Sequence, residues 1–114
     1  MRTAKLYLKD ILDAVNLIEK SIKGISQKKF DKDKDIQDAT IRRITIIGEA
    51  AKNVPQPFRR EYADVPWKDV AGMRDVLIHA YFGVKLDKVW NVVNNDLPQL
   101  KKQIQKIIES LGEN

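Results

Sequence analysis

Apolar residues return every three or four positions along most of this chain, and that spacing suits helices and little else. Leu6, Ile11, Leu12, Val15, Ile18, Ile22 and Ile25 set out an amphipathic helix between Thr3 and Ser26. Thr3 is placed to cap it, and Gly24 lies near its end. Ile36, Ala39, Ile44, Ile47, Ala51 and Val54 set out a second helix from Lys34 to Val54. Gly48 in the middle of that helix costs about 1 kcal/mol against alanine, which predicts close packing against a neighbour. Pro55 and Pro57 stop it, and Phe58 to Tyr62 is expected as a short helical turn. A third helix is expected from Trp67 to Phe82, with Pro66 at its start, Trp67 as a core anchor and Gly83 at its end. A fourth runs from Lys85 to Leu111, with Asp87 as a cap. Pro98 interrupts that pattern and predicts a kink or a restart capped by Asn94-Asn95-Asp96. Between the first two helices, Lys28 to Asp35 alternates lysine and aspartate around Phe30 and is expected as a solvated loop. Asp31 or Asp33 could cap the helix that follows.

No sustained period-two pattern and no hairpin dipeptide between apolar runs is present, so strands are not expected. Four long helices with short connections predict an all-α, antiparallel four-helix up-and-down bundle with one short extra helical turn, a single domain over residues 1–114. The formal charge is +5, spread among acidic residues. That balance permits a polyanionic partner without requiring one. The chain has no cysteine and one histidine. These counts exclude disulfides and thiolate chemistry, make a transition-metal site improbable, and fit a reducing cytoplasm. Neither a signal peptide nor a membrane span is expected, and no cofactor is implied, since no phosphate-cradling glycine loop is present.

The chemistry concentrates in the third helix. Its lone histidine, His79, follows Arg74 by five residues and precedes Tyr81 by two, in an otherwise apolar run. Buried ionisable groups are costly unless paired or used. At about 100° per residue, Val70, Met73, Leu77, Ala80 and Val84 share the core face. Arg74 and Tyr81 lie together on its edge, whereas Arg74 and His79 are about 140° apart. Ile78 and Phe82 give the helix a second apolar face, which predicts a helix that is central or covered by a second chain. A two-fold dimer with Ile78 and Phe82 in its interface would bring Arg74 and His79 of both chains together. An arginine–histidine pair suits phosphoryl chemistry. Arg74 would hold a phosphate with its planar fork, and His79 would act as general acid or base. Asp75 could orient either, Tyr81 offers a hydroxyl, and Glu49 is either a rim carboxylate or the partner of Arg74. On spacing alone, a structural, hydrogen-bonded His79 stands beside the catalytic one.

At these residues the chain resembles the HepT-like family of the HEPN superfamily. The resemblance is carried by Arg74, four residues, His79, one residue, Tyr81. It is supported by Ile47-Gly48-Glu49-Ala50-Ala51-Lys52-Asn53-Val54-Pro55, Pro66-Trp67-Lys68-Asp69-Val70-Ala71-Gly72-Met73, Tyr81-Phe82-Gly83-Val84, Trp90 and Asp96-Leu97-Pro98. It implies a HEPN-like helical homodimer, with a higher oligomer left open, that sets its motif at the dimer cleft. It further implies a metal-independent endoribonuclease that acts on RNA as the toxin of a type II toxin–antitoxin pair. Arg74 and His79 would be catalytic, with Asp75, where many relatives have asparagine, and Glu49 in support. The implied antitoxin is an MntA-like minimal nucleotidyltransferase that can adenylylate the motif tyrosine, here Tyr81, to O-AMP-tyrosine. The alternative is a non-catalytic helical nucleotide- or substrate-binding module that partners such an enzyme; a third is a purely structural dimer.

Overall fold

The computed structural model describes residues 3–75 and 85–112, and all regular structure among them is helical. Helix α1 spans Ala4–Ile22, α2 Gln27–Lys32, α3 Lys34–Asn53, α4 Gln56–Glu61 and α5 Trp67–Ala71. Helix α6 spans Leu86–Asn91, a π-helical turn spans Val92–Asp96, and α7 spans Leu97–Leu111. The protein is thus all-α, as the apolar spacing predicts. None of its described helices is long and apolar enough to cross a membrane.

Helix α1 starts where the Thr3 hydroxyl accepts from the Leu6 amide at 3.4 Å. Leu8, Ile11, Val15 and Ile18 form its fully buried stripe. Leu6, expected in that stripe, is 43% exposed. It lies about 200° round the helix from Leu8, so the 3-4-3 run from Leu8 fixes the face and Leu6 falls outside it. Helix α1 packs along α3 and α7. The pairing with α7 is antiparallel. Lys101, early in α7, meets Glu19, late in α1, at 2.7 Å, and Lys5 donates to the Gly112 carbonyl at 2.8 Å. On α3, Thr40, Ile44, Ile47, Gly48 and Ala51 turn inward.

Four details depart from expectation. The Lys28–Asp35 stretch is not a plain solvated loop, because it contains α2. The Ser26 hydroxyl caps α2 by accepting from the Lys29 amide at 3.1 Å. Phe30, 0% exposed, sets its ring 5.1 Å from that of Trp90. One buried aromatic and one cap suffice to wind six residues whose charged neighbours stay wet. Second, the helix expected from Trp67 to Phe82 is interrupted at Gly72, where the Asp75 N–H donates to the Gly72 carbonyl at 2.9 Å. Residues 73–75 are helical again, and the expected continuation through Gly83 lies outside the described residues. Third, Asp87 does not cap α6. Its carboxylate accepts instead from Gln27 Nε2 at 2.8 Å and ties α6 to α2. Fourth, Asn94-Asn95-Asp96 caps no restart. The Leu97 amide reaches back five residues to the Val92 carbonyl. Proline lacks an N–H and its ring clashes with the carbonyl four residues back. The wider turn takes up both problems without breaking the rod.

Two further expectations hold and one boundary shifts. Asp33 caps α3, accepting from the Ile36 amide at 3.1 Å. Helix α4 begins two residues earlier than expected, at Gln56, just after Pro55. Trp67 is buried and donates from Nε1 to the Tyr62 carbonyl at 2.9 Å, which anchors α5.

Candidate functional site

Helix α5 lies against α3 at Gly48, and this crossing places Arg74. A β-carbon built on Gly48 would stand 3.3 Å from the Ala71 carbonyl oxygen, 3.4 Å from that of Val70 and 3.7 Å from Arg74 Cβ. Two backbones therefore meet so closely that a methyl group would have to push one of them aside by a few tenths of an ångström. The residue after Gly48 is Glu49, and its carboxylate accepts from Arg74 Nη1 in an ion pair. The Asn53 side-chain amide donates to the Glu49 carbonyl at 2.8 Å, one turn on. So the mid-helix glycine and the carboxylate beside it act together: the first brings α5 close, and the second engages the arginine that follows α5.

The pair sits at the surface. The Arg74 side chain is 44% exposed and that of Glu49 45%. Exposed ion pairs contribute about 0–1 kcal/mol, so this one is no keystone of the fold. Its effect is on Arg74: a carboxylate already occupies part of a fork that could grip a phosphate. Asp75 is exposed next to it. The structure thus brings Glu49 and Arg74 together and puts Asp75 beside them. Ile78, His79, Tyr81 and Phe82 lie outside the described residues.

Spacing in the sequence allows Glu49 two meanings, rim carboxylate or arginine partner, and it holds both at once. The cations of α4 and the start of α5 are a feature that apolar spacing does not reveal. Arg59, Arg60 and Lys68 line one cleft with Gln56 and Asp69. The available signal is the Arg59-Arg60 doublet just after a proline-marked corner.

Residues 11–107 match the HepT-like family, described as Ribonuclease HepT-like. The chain belongs to the HepT-like ribonuclease family. It is similar to "Probable ribonuclease HepT" of Thermococcus cleftensis, with 46% identity over 93% of this chain and 96% of that protein. It is 43% identical to a candidate RNase of Caldanaerobacter subterraneus subsp. tengcongensis, over 96% of this chain and 97% of the relative. A protein of Methanocaldococcus jannaschii, whose name joins a gamma-glutamylcyclotransferase to a candidate RNase, is 50% identical over 99% of this chain. The chain spans about half of that protein, 51% of its length. No solved structure matches. Family membership agrees with the motif-based resemblance and with the helical fold.

Proposed function

We propose that this HepT-like chain is a metal-independent endoribonuclease and the toxin of a type II toxin–antitoxin pair. The observation that carries the reading is the half-exposed Arg74 fork, held at the α3–α5 crossing in a chain matched to a ribonuclease family. An RNA phosphate displaces Glu49 from part of that fork. Arg74 then stabilises charge that builds on the phosphoryl oxygens. His79 takes the proton from the ribose 2′-hydroxyl or returns one to the departing 5′-oxygen. Asp75 adds negative charge beside the phosphate. In this reading two protomers share the site, with Ile78 and Phe82 in their interface. A minimal nucleotidyltransferase antitoxin silences the toxin, and Tyr81 accepts AMP.

The test expresses wild type, Arg74→Ala and His79→Ala in cells, with and without a co-expressed nucleotidyltransferase, and scores growth and total RNA. Wild type alone should arrest growth and fragment RNA, and either substitution should relieve both. Intact mass should shift by AMP units on co-expression and stay unshifted in Tyr81→Phe. Folded, unmodified wild type that leaves RNA intact would sink the enzyme.

A second reading is a non-catalytic module that presents nucleotide or Tyr81 to the partner. It draws on the two carboxylates beside Arg74, Glu49 and Asp75, which oppose phosphate binding there. Tyr81 modification without any RNA cleavage would favour it.

A further inference from the structure

We propose that the cleft between α4 and the start of α5 is a second phosphate subsite, which grips the RNA backbone a few nucleotides from the phosphate at Arg74. The inference rests on the ribonuclease reading and extends it to substrate positioning. The cleft has a volume of about 350 Å³ and is lined by Arg59, Arg60, Lys68 and Gln56, with Asp69 the one carboxylate. Three cations against one anion leave it positive. Among the described residues none of the three has an ion-pair partner, whereas Arg74, Lys29 and Lys101 each do. Arg59 Nε is buried and finds no hydrogen-bond acceptor. That shielded nitrogen is out of a ligand's reach, so a phosphate in the cleft would be met by the terminal nitrogens of Arg59, which pair with no carboxylate among the described residues. Gln56 adds an amide donor.

The placement also fits. The cleft and Arg74 are joined by one stretch of chain, since Trp67 lines the cleft and Arg74 follows seven residues later. The chain turns at Gly72 on the way, so the rise of about 1.5 Å per residue of an unbroken helix gives only the scale of their separation, roughly 10 Å. A helically stacked strand advances ~3.4 Å along its axis per phosphate and covers that in about three nucleotides, and an extended strand needs fewer. A single phosphate held at Arg74 leaves the direction of the strand undefined. A second grip at this distance fixes its register.

The experiment uses the full chain and the double variant Arg60→Gln/Lys68→Gln. Both side chains are exposed, so the fold should survive. Arg59→Lys, which keeps the charge but shortens the fork, is the second variant, and thermal melts check both. Binding of a fluorescent 2′-O-methyl dodecanucleotide, which lacks the attacking hydroxyl, is followed by anisotropy across a salt series. Removing one cation that neutralises a phosphate should reduce the slope of log affinity against log salt by about 0.7, so the double variant should fall short of wild type by roughly 1.4. Cleavage of an unmodified dodecanucleotide should show KM raised about tenfold at moderate salt with kcat unchanged. A dinucleotide, too short to reach the cleft, should be cut equally well by both proteins. A slope equal to that of wild type overturns the subsite. If wild type cuts no RNA, the ribonuclease reading fails separately, and the slope on the 2′-O-methyl strand still decides the subsite.

Discussion

Under the proposed function, Glu49 and an RNA phosphate make the same demand on Arg74, because each presents oxygens to one planar fork. Whichever is bound excludes the other from at least one N–H. The pair is nearly half exposed on both sides, so its contribution to folding is under about 1 kcal/mol. Glu49→Gln should therefore leave stability within that range while removing a competitor for the arginine. RNA binding should tighten by up to about fivefold, the factor equivalent to ~1 kcal/mol. Anisotropy with a 2′-O-methyl strand measures the affinity, and urea unfolding measures the stability. Weaker RNA binding in Glu49→Gln would mean that the carboxylate orients Arg74 for the substrate and does not oppose it. Asp33 offers a residue-scale test of the fold. The Ile36 amide, followed by Lys29, holds its carboxyl below the ordinary value of 3.8, while desolvation pulls the other way. A lowered folded-state pKa means that the ionised form stabilises the fold above the ordinary value. That contribution fades as pH falls through the lowered one. Asp33→Asn keeps a capping oxygen and removes the charge. Thermal melts from about pH 6 to pH 2 should show wild type ahead at the upper end and the two converging at the lower.

At the α3–α5 crossing, packing between two elements sets the position of Arg74. Alanine at position 48 would gain helix propensity of about 1 kcal/mol. Its methyl would also meet the Ala71 and Val70 carbonyl oxygens at 3.3 and 3.4 Å. Those atoms are backbone and move only if α5 moves, and such overpacking costs about 1–3 kcal/mol. Gly48→Ala should therefore be destabilising by roughly 1 kcal/mol net and should shift Arg74 away from Glu49. Urea unfolding reads the first effect and a changed KM for RNA the second. A more stable protein with unchanged KM would show that the crossing has slack. Much of this is legible in the sequence, since a glycine amid good helix formers points to a close neighbour, and the carboxylate beside it points to Arg74. Other features are illegible for definite reasons. A charge run hides α2 because one residue, Phe30, supplies its burial, and no period can be read from one residue. Leu6 and Leu8 are equally apolar, and only the 3-4-3 run that starts at Leu8 tells them apart. Arg59 and Arg60 are separated from Lys68 by a corner of the chain, and no spacing rule foretells that the three line one cleft.

At the scale of the whole molecule, the question is how many chains make one site. On a regular helix Arg74 and His79 stand about 140° apart, a poor arrangement for two groups that must reach one phosphate. Under the shared-site reading, the arginine of one protomer works with the histidine of the other. Complementation distinguishes that from a site within one chain. Arg74→Ala and His79→Ala are each prepared as inactive protein, mixed in equal amounts, unfolded and refolded together. Each mixed dimer then holds one intact pair, Arg74 from one chain and His79 from the other, and one pair that lacks both. Random reassortment makes half the dimers mixed, so the mixture should recover about a quarter of wild-type RNA cleavage. A site built within each chain gives no recovery, because every mixed dimer then contains two crippled sites. Recovery without refolding, at the rate of subunit exchange, would further give the lifetime of the dimer. No recovery, with mixed dimers confirmed by native mass spectrometry, would return the chemistry to a single chain and require the backbone after Gly72 to turn His79 toward Arg74.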